Sequence, residues 1–389
     1  MEAAMKKKLF YIILILLGIL CLLYIGNRIK RNIVRNQVIG TVDRSEDREN
    51  SADNKNETEV QLQTENVVSI HPAKDKVEVE NGFDALRFDG DYGFDEFLSQ
   101  GGASEDMEVA SFLVDHVLQN VDLELIGSFF GCSTVYASKE GGGYYFGRNF
   151  DWNTCSALVL QSKPKDGYVS ISTVNTDFIR MGLGNMADAL MKSDEILAKA
   201  AFYVPLDGMN EKGFVISVNM IQDSAVTNQD TDKPDLTTTT AIRLLLNQAA
   251  TVEEAITILS QYDMHSSMGM VFHFAMADAA GRSVVVEYVN QEMKVIETPV
   301  VTNFYLAEGE KYGIGTSQSH ERYDILMDFL EDNPFANQLQ IRDALDSVSK
   351  DNFEEFASTE WSIVYDLEEL TAIYYHRENY EKGYQFTIK

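Results

Sequence analysis

The sequence contains few cysteines and few basic residues for its length. Only three cysteines occur among 389 residues, so no disulfide framework is implied. A single pair between Cys132 and Cys155 stays open at this point. Lys and Arg number 32 against 61 Asp and Glu, which gives a formal net charge of −29. This balance excludes nucleic acid as a partner, because such binding needs basic side chains that neutralise phosphates.

Several well-known site motifs are also missing. The sequence has no G-x-S-x-G elbow, no phosphate-binding loop and no H-E-x-x-H zinc pattern. The six histidines are not spaced as metal ligands. We therefore expect neither a metal nor a cofactor. A serine triad stays open, although nothing in the sequence singles out its serine or its histidine base.

One apolar run stands near the start of the chain. Residues Leu9 to Ile25 are uncharged and follow three lysines. At about 1.5 Å per residue, the run approaches the thickness of a bilayer's hydrocarbon core. No small-x-small cleavage site follows it, which favours an uncleaved anchor over a signal peptide. Basic residues lie on both sides, so we predict export of the long acidic remainder from its size and charge.

The rest of the chain divides into three parts by composition. Residues 37–82 are polar, as in SEDRENSADNKNETE, and predict a disordered linker after an anchor at 1–36. Residues 83–131 hold aromatic positions and the helical pattern MEVASFLVDHVLQNV, which predict a folded lead-in segment. Residues 132–389 form one long unit without an internal repeat.

Residues 132–389 show the periodicities of an α+β domain. β-rich or period-two runs are YYFGRNF, YVSISTV, FVISVN, VFHFAMA, SVVVEYV, VIETPVVTN, WSIVY and AIYYH. A short Gly-containing turn between two of them, at FHFAMADAAGRSVVVEY, predicts a hairpin. Helical patterns occur at TTTAIRLLLNQAA, VEEAITILSQY and HERYDILMDFLED. Clustered strands separated by helices favour antiparallel sheets with helices outside, rather than a βαβ series.

The stretch GCSTVYASKEGGGYYFGRNFDW, residues 131–152, carries the chemistry. A single cysteine is most often a small buried hydrophobe, and Arg148 with Asp151 would ordinarily be an exposed ion pair. Here a hairpin would return Arg148 and Asp151 beside Cys132, where a guanidinium lowers the pKa of a thiol. If the bond after Gly131 is broken, the new α-amine of Cys132 has a pKa of about 7.7–8. One residue then supplies both nucleophile and base.

These residues resemble the start of the mature chain in the choloylglycine hydrolase and penicillin V acylase group. The stretch is equally similar to the penicillin-making acyltransferase and to acid ceramidase-like amidases. All share an N-terminal cysteine followed by GRN-x-D. The resemblance implies that Cys132 is the nucleophile and that Arg148 and Asp151 flank it. It also implies a four-layer αββα N-terminal-nucleophile sandwich of two antiparallel sheets.

The resemblance continues to the end of the chain. DGMNEKGFVISVN resembles a family segment that ends in an oxyanion-hole asparagine, here Asn219. VTN at 301–303 resembles the family's L-T-N, whose asparagine completes that hole, here Asn303. HERYDIL resembles the segment that carries a second active-site arginine, here Arg322. An amide donor suits this role because negative charge develops on the carbonyl oxygen during acyl transfer.

The chain departs from many relatives in having 131 residues before Cys132. This resembles the self-processing members, so we expect autocatalytic cleavage between Gly131 and Cys132, with the released N-terminal segment staying associated without a covalent bond. The expected activity is hydrolysis of a linear amide bond in a small N-acyl substrate. Acyl transfer to an amine and a silent surface-anchored binding module are the alternatives. The expected location is a single-pass anchor with the catalytic domain outside the cytoplasm.

Overall fold

Two large β-sheets form the centre of the chain in the computed structural model. The structure describes residues 66–118, 131–183, 192–221, 225–308, 314–350 and 358–388. The predicted anchor at Leu9 to Ile25 and the first part of the predicted linker lie outside these ranges. Among the helices of the described ranges, none has both the length and the apolar character needed to cross a bilayer.

The chain enters each of the two sheets several times and contributes one to four consecutive strands each time. The strands are β1 Asn66–Ser69, β2 Val77–Glu80, β3 Phe83–Gly90, β4 Gly131–Ser138, β5 Tyr144–Trp152, β6 Ala157–Pro164, β7 Ser170–Asn175, β8 Asp207–Asn210, β9 Val215–Ile221, β10 Asp235–Thr237, β11 Asp263–His265, β12 Val271–Ala277, β13 Ser283–Val289, β14 Glu292–Glu297, β15 Val300–Val301, β16 Ser358–Asp366, β17 Thr371–His376 and β18 Lys382–Thr387. Seven form a sheet in the order β1-β18-β17-β16-β5-β4-β15. Nine form a second sheet in the order β14-β13-β12-β9-β8-β7-β6-β3-β2, and β10 pairs with β11.

Eight α-helices lie in the described ranges. They are α1 Phe94–Ser99, α2 Asp106–Leu113, α3 Thr176–Leu183, α4 Asp194–Phe202, α5 Thr238–Gln248, α6 Val252–Leu259, α7 Ser317–Asp332 and α8 Gln338–Ser347. A π-helical turn, Val114–Leu118, follows α2, and a 3₁₀ turn, Ser267–Gly269, precedes β12. The Thr251 side chain caps α6 by accepting from the Glu254 amide at 3.2 Å.

The sheets face each other and the helices cover their outer faces. Thr173 of β7 and Tyr374 of β17 hydrogen-bond across the gap at 3.0 Å. Helices α7 and α8 pack on the seven-stranded sheet, whereas α4 and α5 pack on the nine-stranded sheet. Most core residues lie in one cluster that both sheets share, and a second cluster lies under α7 and α8. The fold is therefore α+β.

Both large sheets are mixed, which corrects the prediction of two antiparallel sheets. β1 runs parallel to β18, and β3 runs parallel to β6. All other pairs in the two large sheets are antiparallel. The parallel strands come from the sequence before residue 131, and no hairpin turn joins either to its partner. Their direction is therefore not fixed by a tight turn.

Residues 66–80 also differ from the predicted linker, because they form strands rather than a disordered segment. Strands β1 and β2 bury little, but Val77 and Val79 of β2 alternate with glutamates and are half-buried, as is Val67 of β1. An edge strand needs only this alternation and a partner. Composition averaged over the whole polar stretch hid the pattern.

The predicted elements from residue 144 onward overlap observed ones, except that the run VIETPVVTN covers the end of β14 and all of β15, which belong to different sheets. The hairpin predicted at FHFAMADAAGRSVVVEY is formed by β12 and β13, with the register Ala277 opposite Ser283. Asp278 holds the turn by accepting from the amides of Ala280 and Arg282 at 3.0 and 3.1 Å. Gly281 has φ +104°, and a Cβ there would lie 2.5 Å from the Tyr144 hydroxyl. Both the conformation and the space therefore require glycine.

Candidate active site

The hairpin of β4 and β5 brings the first three predicted residues together. Cys132 lies opposite Phe150 in the ladder, and Arg148 lies opposite Thr134. Directly paired residues share a face of a sheet, and so do residues two apart on one strand. Arg148 is two residues from Phe150, the partner of Cys132, so Cys132 and Arg148 both point toward the nine-stranded sheet. Asp151 lies opposite Gly131 at the end of the same ladder. The predicted return of the hairpin is therefore what the register shows.

A chain of hydrogen bonds joins Cys132 to three other predicted residues. The Cys132 backbone N–H donates to Asn303 Oδ1 at 3.0 Å. Arg322 Nη2 donates to the same oxygen at 2.7 Å, and its Nη1 donates to Asp151 Oδ2 at 2.9 Å. All four residues are buried. Two donors on one oxygen fix the orientation of the Asn303 amide, since the nitrogen cannot accept.

Asp151 is held from both sides. Its Oδ1 accepts from the Thr359 hydroxyl at 2.8 Å, and Lys350 Nζ lies 3.5 Å from its Oδ2. The side chain is fully buried. Because two cations and a hydroxyl surround the carboxylate, it is a fixed negative charge beside the Gly131–Cys132 bond.

Arg148 is a buried cation that lies between the thiol and a carboxylate. Its Nε donates to Asp207 Oδ2, and both side chains are 0% exposed. Trp361 Nε1 and the Tyr365 hydroxyl also donate to Asp207, at 3.2 and 3.1 Å. Burial lowers the pKa of Arg148, but Cys132 and Asp207 more than offset this and raise it overall. The guanidinium is therefore charged at any ordinary pH.

The thiol of Cys132 experiences opposing influences. Burial raises its pKa, and this effect is the largest. The charge of Arg148 and a hydrogen bond from the Asp151 backbone act in the opposite direction. Burial prevails while the chain before Cys132 is intact, so the thiol is protonated at neutral pH. Activation needs a base close to the sulfur.

Asn219 lies on β9, across the gap from β4. Its Nδ2 donates to the backbone oxygens of Val301 and Thr302 at 3.1 and 3.5 Å. The Nδ2 of Asn303 donates to the Met220 backbone oxygen at 2.8 Å. Both amides therefore lie at the site and donate to backbone carbonyls in the structure. The predicted oxyanion role needs one of their N–H groups to donate to the substrate.

A buried histidine–glutamate pair supports the segment that carries Asn303. His273 Nε2 lies 2.9 Å from the Thr302 backbone oxygen, and Nδ1 lies 3.0 Å from Glu287 Oε1. Glu287 also accepts from the backbone N–H groups of Leu306 and Ala307, each at 2.8 Å. Burial raises the pKa of Glu287, but these hydrogen bonds and His273 outweigh it and lower the pKa overall. The pair thus fixes the backbone on both sides of Asn303.

The structure gathers all six predicted side chains in one region and adds others that the sequence did not single out. Asp207 begins the quoted segment DGMNEKG, so its place in that motif was the available signal. Thr359 and Lys350 contact Asp151 from a distant part of the chain. Their spacing along the sequence gave no indication of this contact.

Cys155 is the second cysteine in the described part of the chain. Cys132 and Cys155 are both free and buried, so the pair left open by the sequence does not form a disulfide here. Burial raises the pKa of Cys155 well above its usual value. In the described part of the chain, no group of three or more His, Cys, Asp or Glu side chains is arranged to hold a metal ion.

A comparison with known families matches the second half of the chain. Residues 203–380 match the model of the family described as acyl-coenzyme A:6-aminopenicillanic acid acyl-transferase. This range contains Asn219, Asn303 and Arg322, whereas Cys132, Arg148 and Asp151 precede it. It covers less than half of the 389 residues. A search of curated proteins finds no match.

Solved structures of similar shape include enzymes from two bacteria. A mutant conjugated bile acid hydrolase from Clostridium perfringens is 17% identical with TM-score 0.49, over 66% of this chain and 92% of that one. A penicillin V acylase from Agrobacterium tumefaciens is 18% identical with TM-score 0.45, over 63% and 82%. Another variant of the Clostridium enzyme is 14% identical with TM-score 0.46, over 66% and 98%.

Proposed function

We propose that this chain is an amidase of the four-layer αββα N-terminal-nucleophile type, which cleaves a linear carbon–nitrogen amide bond. Cys132 is the nucleophile, and autocatalytic cleavage between Gly131 and Cys132 exposes its amine. The hydrogen bond from the Cys132 backbone nitrogen to Asn303 Oδ1 at 3.0 Å carries this proposal. After cleavage, the same oxygen is placed to hold the new α-amine beside its own thiol.

The proposed reaction has two steps. The α-amine of Cys132 takes the thiol proton, and the sulfur attacks the substrate carbonyl. The C–N bond breaks as the amine leaves with that proton, and an acyl-thioester remains on Cys132. Water then attacks the thioester, releasing the acid and restoring the thiol. Asn219 and Asn303 would stabilise the negative charge that develops on the carbonyl oxygen in each step.

Arg148 and Asp151 have complementary roles in this scheme. The guanidinium of Arg148 stabilises the thiolate once the amine can accept its proton. Asp151, through Arg322, holds the Asn303 oxygen against the Cys132 nitrogen. The buried charges thereby orient the nucleophile and its base without entering the proton transfer.

The intact mass of the purified protein tests the processing step. We expect a fragment that begins at Cys132, because only a free α-amine gives the thiol its base. Cys132→Ala should leave one full-length band on a denaturing gel. Cleavage of this variant at the same bond would contradict self-processing.

A thiol-directed acyl electrophile tests the nucleophile itself. We expect one label per processed molecule, placed on Cys132 and lost in Cys132→Ser. Cys155→Ser is the matched control, because Cys155 is a second buried thiol in the described part of the chain and burial suppresses its reactivity. A label that remains in Cys132→Ser would contradict the assignment. A wild-type protein that takes no label would also contradict it and would favour the silent binding module.

Acyl transfer to an amine is the second candidate, and the family match at residues 203–380 favours it. The same residues serve both reactions, and the outcome depends on whether water or an amine reaches the thioester. Turnover of an N-acyl amide in excess of a second amine separates the two. Formation of the new amide in preference to the acid would favour transfer.

The membrane location is proposed from the sequence alone. The run from Leu9 to Ile25 would anchor the chain by a single pass and leave the catalytic domain outside the cytoplasm. Protease treatment of intact cells provides the test, since degradation of residues 132–389 from outside would support the orientation. Full protection of the domain until the cells are lysed would contradict it.

A further inference from the structure

Lys350 brings a second cation to a carboxylate that already has one. Its Nζ lies 3.5 Å from Asp151 Oδ2, and Arg322 Nη1 donates to the same oxygen at 2.9 Å. Asp151 carries a single negative charge, so one positive charge at this carboxylate is not balanced. The Asp151 side chain is 0% exposed and that of Lys350 is 13% exposed. Solvent therefore screens the extra charge much less than it would at the protein surface.

Backbone hydrogen bonds hold Lys350 in this position. Its N–H donates to the Thr359 hydroxyl oxygen at 2.8 Å, and its carbonyl oxygen accepts from the Thr359 N–H at 2.9 Å. The Thr359 hydroxyl donates in turn to Asp151 Oδ1 at 2.8 Å. Thr359 also lies opposite Asp151 in the ladder of β16 and β5. The end of β16 thus fixes the backbone from which the Lys350 side chain reaches the carboxylate.

A series of short contacts joins the Lys350 ammonium to the Cys132 nitrogen. Arg322 connects Asp151 Oδ2 with Asn303 Oδ1, at 2.9 and 2.7 Å. The Cys132 N–H donates to the same Asn303 oxygen at 3.0 Å. Asp151 also contacts Cys132 directly, through a hydrogen bond from its backbone to the thiol. The unbalanced charge is therefore close to the atom that would become the α-amine.

The other ionisable groups around Cys132 contact partners of their own. In the described part of the chain they form three pairs, which are Arg148 with Asp207, His273 with Glu287, and Arg377 with Glu360. Tyr365 and Tyr374 stay uncharged because burial raises their pKa values. The acidic side chains of α7 and α8 are exposed, so solvent screens their charges. These groups leave the charge of Lys350 unbalanced.

We infer that Lys350 is a positioning residue whose charge keeps the α-amine of Cys132 unprotonated at neutral pH. The inference rests on the proposed function. A nearby positive charge makes it less favourable for the amine to bind a proton, and it also favours the ionised thiol. Both effects act in the same direction, because each makes the amine–thiol pair lose its first proton at a lower pH. The base is then available at neutral pH, although an α-amine ordinarily has a pKa of about 7.7–8.

The pH dependence of Cys132 alkylation tests this inference without a known substrate. The processed full chain reacts with iodoacetamide over a range of pH, and mass spectrometry follows the label on the peptide that begins at Cys132. Lys350→Met removes the charge and keeps the length of the side chain. We expect it to raise the midpoint of the reaction rate by about one pH unit. At a pH below both midpoints, the variant should react about tenfold more slowly than the wild type.

Two further variants distinguish the charge of Lys350 from a structural role. Lys350→Arg retains the charge and should keep the midpoint near that of the wild type. Lys139→Met is the matched control, because Lys139 also pairs with a carboxylate, Asp366 at 2.6 Å, and its side chain is 19% exposed. Lys139 follows the far end of β4, about 23 Å from Cys132 along the strand. Its replacement should leave the midpoint unchanged.

An unchanged midpoint in Lys350→Met would overturn the inference, and so would an equal shift in Lys139→Met. A structural role alone would lower thermal stability without moving the midpoint. Intact mass separates this inference from the proposed function. A wild-type chain still joined at Gly131–Cys132 has no α-amine, so both would fail. A cleaved chain whose midpoint does not respond to Lys350→Met would leave the amidase proposal in place and remove only the role of Lys350.

Discussion

Arg148 contacts two partners that a smaller cation could not contact at the same time. Its Nε is bound by Asp207, while the rest of the guanidinium faces the Cys132 thiol. A planar group with several donors reaches both, whereas the ammonium of lysine is a single point charge. This difference makes the arginine specific to its position.

Arg148→Lys is therefore expected to reduce kcat/KM about a hundredfold, the usual cost of losing one preorganised charge contact. The lysine ammonium would pair with Asp207 and no longer contact the thiol, so the ionised form of the thiol would be less stabilised and its pKa would rise. The rise of kcat/KM with pH should therefore occur at a higher pH than in the wild type. The pH profile of kcat/KM measures this shift.

Arg243→Lys is a matched control for that substitution. Arg243 is another fully buried arginine; it donates to the Phe202 backbone oxygen at 2.8 Å and to the Ser172 hydroxyl at 2.7 Å. Burial lowers its pKa to about 10. Its replacement should lower thermal stability and leave the pH profile in place. An identical profile for Arg148→Lys and the wild type would contradict the role given to Arg148.

At the scale of elements, the sheets explain what the sequence predicted and what it did not. Several strands from residue 144 onward were predicted because buried strands repeat apolar residues over five or more positions, whereas β6, β8, β10, β11 and β18 were not predicted. The hairpin placing Arg148 beside Cys132 was predicted from the spacing of these residues along the chain. The pairing of β1 with β18 and of β3 with β6 was not predicted, because partners that lie far apart along the chain leave no local signal in the sequence. The Arg148–Asp207 pair is unpredictable for the same reason.

The segment of residues 302–307 is held by side chains of β12 and β13, and this suggests an element-level test. His273 faces a backbone carbonyl on one side and the Glu287 carboxylate on the other. Glu287→Gln would remove the negative charge while keeping the side chain's shape.

We expect Glu287→Gln to lower kcat about tenfold or more, because even a small displacement of Asn303 weakens its contact with the transition state. KM should change little, because neither residue reaches the substrate. The signature of the pair is the ¹⁵N spectrum of the His273 ring, whose signals should shift in the variant because the ring loses its contact with a carboxylate. Ring signals that do not move would contradict the role given to the pair, and so would an unchanged kcat.

At the scale of the whole molecule, the sequence before Cys132 is part of both sheets. Strand β3 pairs with β6 over eight residues, and β1 pairs with β18 over four. Phe83 and Leu86 of β3 are buried in the shared core. Cleavage after Gly131 would break one peptide bond and none of these contacts. We therefore expect the two fragments to separate on a denaturing gel and to elute together in native size exclusion.

The association should weaken in acid. Glu80 of β2 pairs with His376 Nδ1 at 2.6 Å and accepts from the Tyr384 hydroxyl. Burial lowers the pKa of His376, and the hydrogen bonds from Tyr384 and His376 outweigh burial to lower the pKa of Glu80. Arg377 lies near His376, and Lys382 lies near Glu80. A group with a lowered pKa stabilises the associated form above its free pKa, and this contribution is lost as the pH falls.

For His376 the loss begins near the free value of about 6.5, and for Glu80 near about 4.3. Co-elution should thus be complete at pH 8 and should decline between about pH 6.5 and 4. Glu80→Gln removes the carboxylate, so its fragments should separate more readily at pH 8 and respond less to acid. Fragments of the wild type that separate at pH 8 would show that strand pairing alone does not hold the cleaved segment.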